Sequence, residues 1–239
     1  MVEPRAATPT VRFVDTYCQL YEDLFAEVRA YENFKYLHVG LISEIKRKSL
    51  PAIAKIVGLE NHQGLHHFLT ESPWSAKELE ARRLEILLQV LEGRKIQVII
   101  DETGDKKKGK TTDYVKRQYI GNLGKIENRI VSVNAYGYHE GITFPLIFKV
   151  FKPKERLKEG DHYQTKPVLA AEIIKELKEK GFQIQRVLAD SLYGESESKF
   201  LSVVEELNLE YAVAIRTNHG VWLPKGQKVR TNKWRKFEH

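Results

Sequence analysis

The sequence predicts an α/β protein (α+β overall): an N-terminal helical domain, then an incomplete mixed sheet with flanking helices. Three observations predict it. Residues 1–94 carry apolar side chains three and four apart, the period of a helix. After Gly93 the pattern changes to short apolar runs with β-branched enrichment, as in strands buried on both faces. Two of those runs, Ile96 to Ile100 and Arg186 to Ala189, each lead into an aspartate, Asp101 and Asp190.

The elements follow in order. Residues 11–31 place Val14, Tyr17, Tyr21, Leu24, Phe25 and Val28 at helical spacing. A second run, Phe34 to Lys46, holds Leu37, Leu41 and Ile45 four apart. Ser49 as cap, Pro51 in a first turn and Gly58 as terminator frame a short helix over 50–58. Another short helix spans 61–70. Ser75 and Glu78 form a capping box that opens a longer helix, with Leu84, Leu87, Leu88 and Leu91 on one stripe. The pair at 50–58 and 61–70, joined by a glycine-containing turn, fits a helix-turn-helix as well as an ordinary bundle. The run Lys46, Arg47, Lys48 just before it is a candidate DNA contact. His62, His66 and His67 read as solvated or DNA-facing, because no further metal ligand is evident nearby.

In the second region, 96–100 is a central strand and 105–110 a lysine-rich loop. Residues 128–138 alternate Val131, Val133 and Ala135 with Ser132 and Asn134, a strand with one face buried. Residues 142–151 form a third strand, with Pro145 expected at an edge or bulge. The glycines at 137 and 141 predict a hairpin between these two. A charged loop covers 152–164. Thr165 caps a helix with Pro167 in its first turn, burying Ala170, Ile173, Ile174 and Leu177. The Asp190 strand, a helix over about 195–207 and a strand at 211–215 complete the order: three strands, helix, strand, helix, strand. That order is ribonuclease-H-like, with the first strand central and the fourth paired to it. The expected domains are 1–94 (helical, DNA-binding), 95–216 (ribonuclease-H-like, partial) and 217–239 (the start of an insertion).

The 239 residues carry a formal charge of +7, and the pI is near 9.2. A basic surface favours polyanions such as nucleic acid. The single cysteine, Cys18, excludes an internal disulfide and fits a cytoplasmic location. No apolar run reaches the roughly 18 residues that span a bilayer, so no membrane partner is expected.

If the first and fourth strands are neighbours, Asp101 and Asp190 lie side by side, where oxygen ligands suit Mg²⁺ or Mn²⁺ and phosphodiester chemistry. Either aspartate alone reads equally as a turn residue. Glu102 should point away from Asp101 if the strand continues. Lys107, Lys108 and Lys110 come after the first acid, either as phosphate contacts or as a solvated loop.

The segment Ile100-Asp101-Glu102-Thr103-Gly104, with Lys107, Lys108, Gly109 and Lys110 after it, resembles the first-acid motif of bacterial insertion-sequence transposases of the DDE superfamily endonuclease branch. The stretch Arg117 to Lys125 resembles the same branch, and Asp190-Ser191-Leu192-Tyr193-Gly194 resembles its second-acid motif. The resemblance runs from about residue 10 to the end. It implies DNA transposition at terminal inverted repeats, with Mg²⁺ or Mn²⁺ held by Asp101 and Asp190. It also implies a multimeric complex on transposon-end and target DNA in the bacterial nucleoid. The family's third acid is a glutamate in a Tyr…Arg…Glu…Lys helix after a β-rich insertion. The chain stops at Phe237, Glu238 and His239, where that insertion would begin. The expectation is therefore a truncated transposase that lacks strand cleavage. The alternative is a non-catalytic DNA-binding fragment that occupies transposon ends or inhibits the complete enzyme.

Overall fold

The computed structural model describes residues 5–120 and 125–216. The expected insertion start at 217–239, with Trp222 and the basic tail, lies outside the described residues. So does part of the Arg117–Lys125 motif, at 121–124. The chain divides into two compact units, Met1–Val90 and Leu91–His239.

The first unit is helical: α1 (Arg12–Gln19), α2 (Val28–Ile42), α3 (Leu50–Ile56), α4 (Gln63–Thr70) and α5 (Ala76–Leu91), which runs across the division. The helix expected over 11–31 is broken. A 3₁₀ turn at Glu22–Leu24 and an extended Phe25 separate α1 from α2. Packing explains the break. Phe25 turns inward to meet Tyr31, Phe34 and Phe68 at centroid distances of 5.9, 5.0 and 6.1 Å, and Tyr21 meets Phe34 at 5.5 Å. The apolar spacing there serves a folded-back turn, not one continuous helix. The helix expected from Phe34 accordingly starts at Val28 and ends at Ile42.

Charged side chains are buried or half-buried beneath the N-terminal segment. Glu32 accepts two hydrogen bonds from the Arg5 guanidinium, at 2.8 and 2.7 Å, and two from Thr8, both at 2.7 Å. Lys35 donates to Asp15 at 3.0 Å and to the Thr8 carbonyl at 2.6 Å. The Arg5 guanidinium holds the Glu32 carboxyl well below the ordinary range, at about 2. Burial would raise Asp15, but the Thr10 amide and Lys35 outweigh it and lower its pKa.

Helices α3 and α4 share a small core of Ile53, Ala54 and Leu65. Gly58, at φ +75°, ends the first of them. Pro51 occupies the first turn as expected, but Ser49 makes no side-chain cap bond. The Ser75 hydroxyl does cap α5, accepting from the Glu78 amide at 3.3 Å.

Among the described residues, the second unit is a six-stranded sheet. Its strands are β1 (Ile96–Lys106), β2 (Lys116–Ile120), β3 (Lys125–His139), β4 (Ile142–Val150), β5 (Ile184–Ala189) and β6 (Glu210–Val213). Its helices are α6 (Lys166–Glu179), the single turn α7 (Ser191–Gly194) and α8 (Ser202–Glu206), the last preceded by a π turn at Glu197–Leu201. β1 lies at the centre, antiparallel to β3 and parallel to β5, and β6 continues parallel beyond β5. This is the ribonuclease-H-like order that the sequence predicts, with two departures. β2 is an additional strand on β3. β1 also continues through Asp105 to Lys106, because β3 is long enough to pair with it over Gln97–Lys106.

Side-chain alternation on β1 sends Val98, Ile100 and Glu102 to the helix-covered face and Ile99 and Asp101 to the opposite face. The core on the helix side holds Val131, Val133, Ile173, Ile174, Leu177, Val187, Tyr193, Phe200 and Val204. Pro145 lies on the outer strand β4, at a register shift against β3. The β3–β4 turn uses Glu140 and Gly141, both with positive φ, as a tight two-residue hairpin requires. Thr165 precedes α6 but makes no cap bond, and its hydroxyl is buried without a hydrogen-bond partner.

Two outcomes test these packing arguments. Glu32→Gln in the full chain removes a buried charge and should cost about 2–3 kcal/mol in denaturant unfolding of the helical unit. Because the folded pKa of Glu32 is depressed, its contribution is present above the ordinary carboxylate pKa, about 4.3. It is lost as pH falls toward 2, so the wild-type and variant curves should converge in that window. At Gly194 an added Cβ would overlap the Ala214 carbonyl oxygen. Gly194→Ala should therefore lower the melting temperature of the sheet unit, at a cost of about 2–3 kcal/mol.

Candidate metal centre

The parallel register of β1 and β5 ends with Ile100 opposite Ala189. The next residues on the two strands are Asp101 and Asp190. Adjacent strands lie about 4.8 Å apart, so the two carboxylates are lateral neighbours. Asp101 is not at a strand end, as the sequence reading has it. β5 stops at Ala189 and turns into α7, while β1 continues, so Asp101 sits mid-strand beside a neighbour that has just ended.

Asp190 caps α7, its Oδ1 accepting from the Leu192 amide at 2.9 Å. Asp101 Oδ1 accepts from the Glu102 amide at 2.7 Å. Both aspartates are exposed. Although Asp190 is exposed as a residue, the protein around its carboxyl group partly desolvates it and raises its pKa, and the charges of Glu102 and Asp101 raise it further against the opposing hydrogen bond from Leu192. The Asp190 carboxyl thus feels the negative charge of both β1 acids, with Glu102 acting ahead of Asp101. Across β3, Asn134 lies in register with Asp101; it is nearly buried and bonded to Ser132.

Glu102 faces the other way, as its place on a continuing strand requires. Its carboxylate accepts from Lys166 Nζ at 2.6 Å and from the Tyr193 hydroxyl at 3.3 Å. Of the acids that follow Asp190 in sequence, Glu195 pairs with Arg216 and Glu205 accepts from the Tyr211 hydroxyl. Among the described residues no group of three or more His, Cys, Asp or Glu side chains is placed to hold a metal ion. Asp101 and Asp190 nevertheless fit Mg²⁺ or Mn²⁺ chemically. Mg²⁺ is commonly held by one or two carboxylates, with waters and substrate phosphates supplying the other oxygens. His62, His66 and His67 are exposed on or beside α4 and form no such group either.

The basic candidates fall in two places. Lys46, Arg47 and Lys48 lie exposed between α2 and α3, and Lys48 donates to the Ser43 carbonyl. Lys107, Lys108 and Lys110 come after β1, and Lys107 pairs with Asp105 at 2.5 Å. Arg117 is exposed on β2. A cleft of about 470 Å³ is lined by Lys110, by Lys116 and Arg117 of β2, by Glu127 and Asn128 of β3, and by Arg156. Sequence reasoning missed Lys116 because it missed β2, although Val115, Tyr119 and Ile120 mark that segment as strand-forming; Arg156 comes from the loop before α6, brought there by the fold. No helix among the described residues is long and apolar enough to cross a membrane.

Comparison with known proteins agrees with the motifs. The chain is 63% identical over 238 residues to the probable transposase for insertion sequence element IS701 of Microchaete diplosiphon. The alignment takes in all of this chain and 63% of that protein, so the chain spans less than two thirds of the relative's length. Looser likenesses exist to two solved structures. The Drosophila P element transposase strand transfer complex is 14% identical, over 86% of this chain and 37% of that one, with a TM-score of 0.32. The Mos1 strand transfer complex is 13% identical, over 85% and 67%, with a TM-score of 0.25. Scores this low carry no inference about fold or function. The family described as DDE superfamily endonuclease matches residues 20–236, and the chain belongs to that family.

Proposed function

We propose that this chain carries two acids of a divalent-metal site for phosphodiester cleavage and strand transfer on DNA, in the transposase of a bacterial insertion sequence. One observation carries the reading: the β1–β5 register ends with Ile100 opposite Ala189, and Asp101 and Asp190 are the next residues on the two strands. Family membership and the 63% identical relative support it. A bound Mg²⁺ or Mn²⁺ would activate water or a 3′-hydroxyl and stabilise the leaving oxygen.

The chain's own residues supply the rest. Asp101 and Asp190 would hold the ion, their carboxylates aimed by the Glu102 and Leu192 amides. The lysines after β1 and Arg117 on β2 would bind the phosphates of double-stranded DNA by charge. Helix α4 exposes Gln63, His66, His67 and Thr70, a polar surface that suits the major groove if α3 and α4 act as a helix-turn-helix. The DNA partners on this reading are transposon terminal inverted repeats and target DNA, bound in a multimeric complex.

A second reading is occupation of transposon ends without cleavage. It is favoured by the lack, among the described residues, of a third acid grouped with the pair.

Two experiments test these readings. With a labelled terminal-repeat duplex and Mg²⁺, Asp101→Asn and Asp190→Asn should each lower nicking by at least about 100-fold while leaving DNA binding intact. Nicking that survives both substitutions refutes the cleavage reading. Wild-type binding without nicking selects the second. Neutralising Lys108, Lys110 and Arg117 together should weaken DNA binding whatever the sequence. It should also flatten the dependence of log K on log salt by about 0.9 for each phosphate that no longer meets a cation.

A further inference from the structure

We propose that Glu102 and Tyr193 are positioning residues that couple the two metal-binding carboxylates across the β1–β5 seam, with Lys166 holding Glu102 in place. The proposal rests on the metal-site reading above and goes beyond it, because neither side chain would touch the ion.

The connection can be traced atom by atom. The Glu102 amide donates to Asp101 Oδ1 at 2.7 Å. The Glu102 carboxylate, on the opposite face of β1, accepts from the Tyr193 hydroxyl at 3.3 Å. Tyr193 stands three residues beyond Asp190 in the one-turn helix that Asp190 caps, and its amide donates to the Asp190 carbonyl at 3.2 Å. Glu102 and Tyr193 thus each adjoin one acid through the backbone and meet each other through their side chains. Parting of the β1 and β5 ends would stretch the Glu102–Tyr193 hydrogen bond.

The bond sits where it can resist such a change. Tyr193 is fully buried and packs against Phe200 at a centroid distance of 5.5 Å. Gly194, immediately after it, lies so close to the chain leaving β6 that a Cβ would meet the Ala214 carbonyl oxygen. Burial and the Phe200 contact restrain the phenol, and the close approach at Gly194 restrains the backbone that carries it. Lys166 Nζ, at 2.6 Å from Glu102, neutralises a third negative charge next to the aspartates. It does so from the first turn of α6, where a lysine is unfavourable for the helix itself. Glu102 adjoins Asp101 in sequence, yet its two carboxylate oxygens are taken by Lys166 and Tyr193, which suits a brace.

The test measures Mn²⁺ affinity of the full chain by electron paramagnetic resonance of free Mn²⁺, alongside thermal unfolding. Groups behind metal ligands commonly change affinity by about tenfold or more. Tyr193→Phe, which removes one hydroxyl, and Glu102→Gln should each weaken Mn²⁺ binding by about that factor. Val204→Ala, a core substitution away from the bond, serves as the stability control and should leave Mn²⁺ affinity unchanged. Unchanged affinity in both Tyr193→Phe and Glu102→Gln, with Asp101→Asn and Asp190→Asn losing Mn²⁺, overturns the brace and spares the metal site. Equal weakening by Val204→Ala also overturns it, since the effect would then track stability alone. If Asp101→Asn and Asp190→Asn themselves bind Mn²⁺ like the wild type, the metal-site reading fails and the brace falls with it.

Discussion

The parallel pairing of β5 with β1, in the register that puts Ile100 opposite Ala189, is the constraint on which the rest of the sheet unit depends. Side chains alternate with a period of two along a strand. A slip of one residue would therefore send Asp101 to the helix side and Glu102 to the open side. The register is enforced by burial. Ile96, Val98 and Ile100 are almost completely buried, as are Ile184 and Val187 on β5. Removing that apolar surface from water contributes about 25 cal/mol per Å². The same pairing that builds the core thus presents two acids together on the face away from α6, α7 and α8.

The fate of the chain beyond each strand matters as much as the pairing. β5 ends at Ala189 and the chain turns at once into α7, with Asp190 as the cap. That turn is possible because Gly194 admits the Ala214 carbonyl where any side chain would collide. β1 continues instead, because β3 offers it partners as far as Arg129. The extension carries the chain about 16 Å past Asp101, toward the cleft lined by Lys110, Lys116, Arg117 and Arg156.

Much of this is legible in the sequence. The apolar run 96–100, the alternation at 131–135 and the helix stripe of Ile173, Ile174 and Leu177 have one-dimensional periods that local chemistry sets directly, and the element order implies the topology. The failures share a cause. The helix expected over 11–31 breaks because Phe25 is needed in an aromatic cluster with Phe34 and Phe68, a contact between residues far apart in sequence. The length of β1 escapes sequence reasoning because polar residues 103–106 are held in a strand by β3, not by their own propensity. Thr165 and Ser49 have the right identity for caps but do not use their hydroxyls that way. The pairing of Asp101 with Asp190 is legible as a juxtaposition. The link from Glu102 to Tyr193 is not, since 91 residues separate them and only the folded sheet brings them together.

Diffraction from crystals of the full chain soaked in Mn²⁺, collected with anomalous signal from the metal, addresses the central claim most directly. A peak within bonding distance of carboxylate oxygens from both Asp101 and Asp190 is the result this account predicts. Strong Mn²⁺ density elsewhere, with none between these two side chains at saturating concentration, would contradict it.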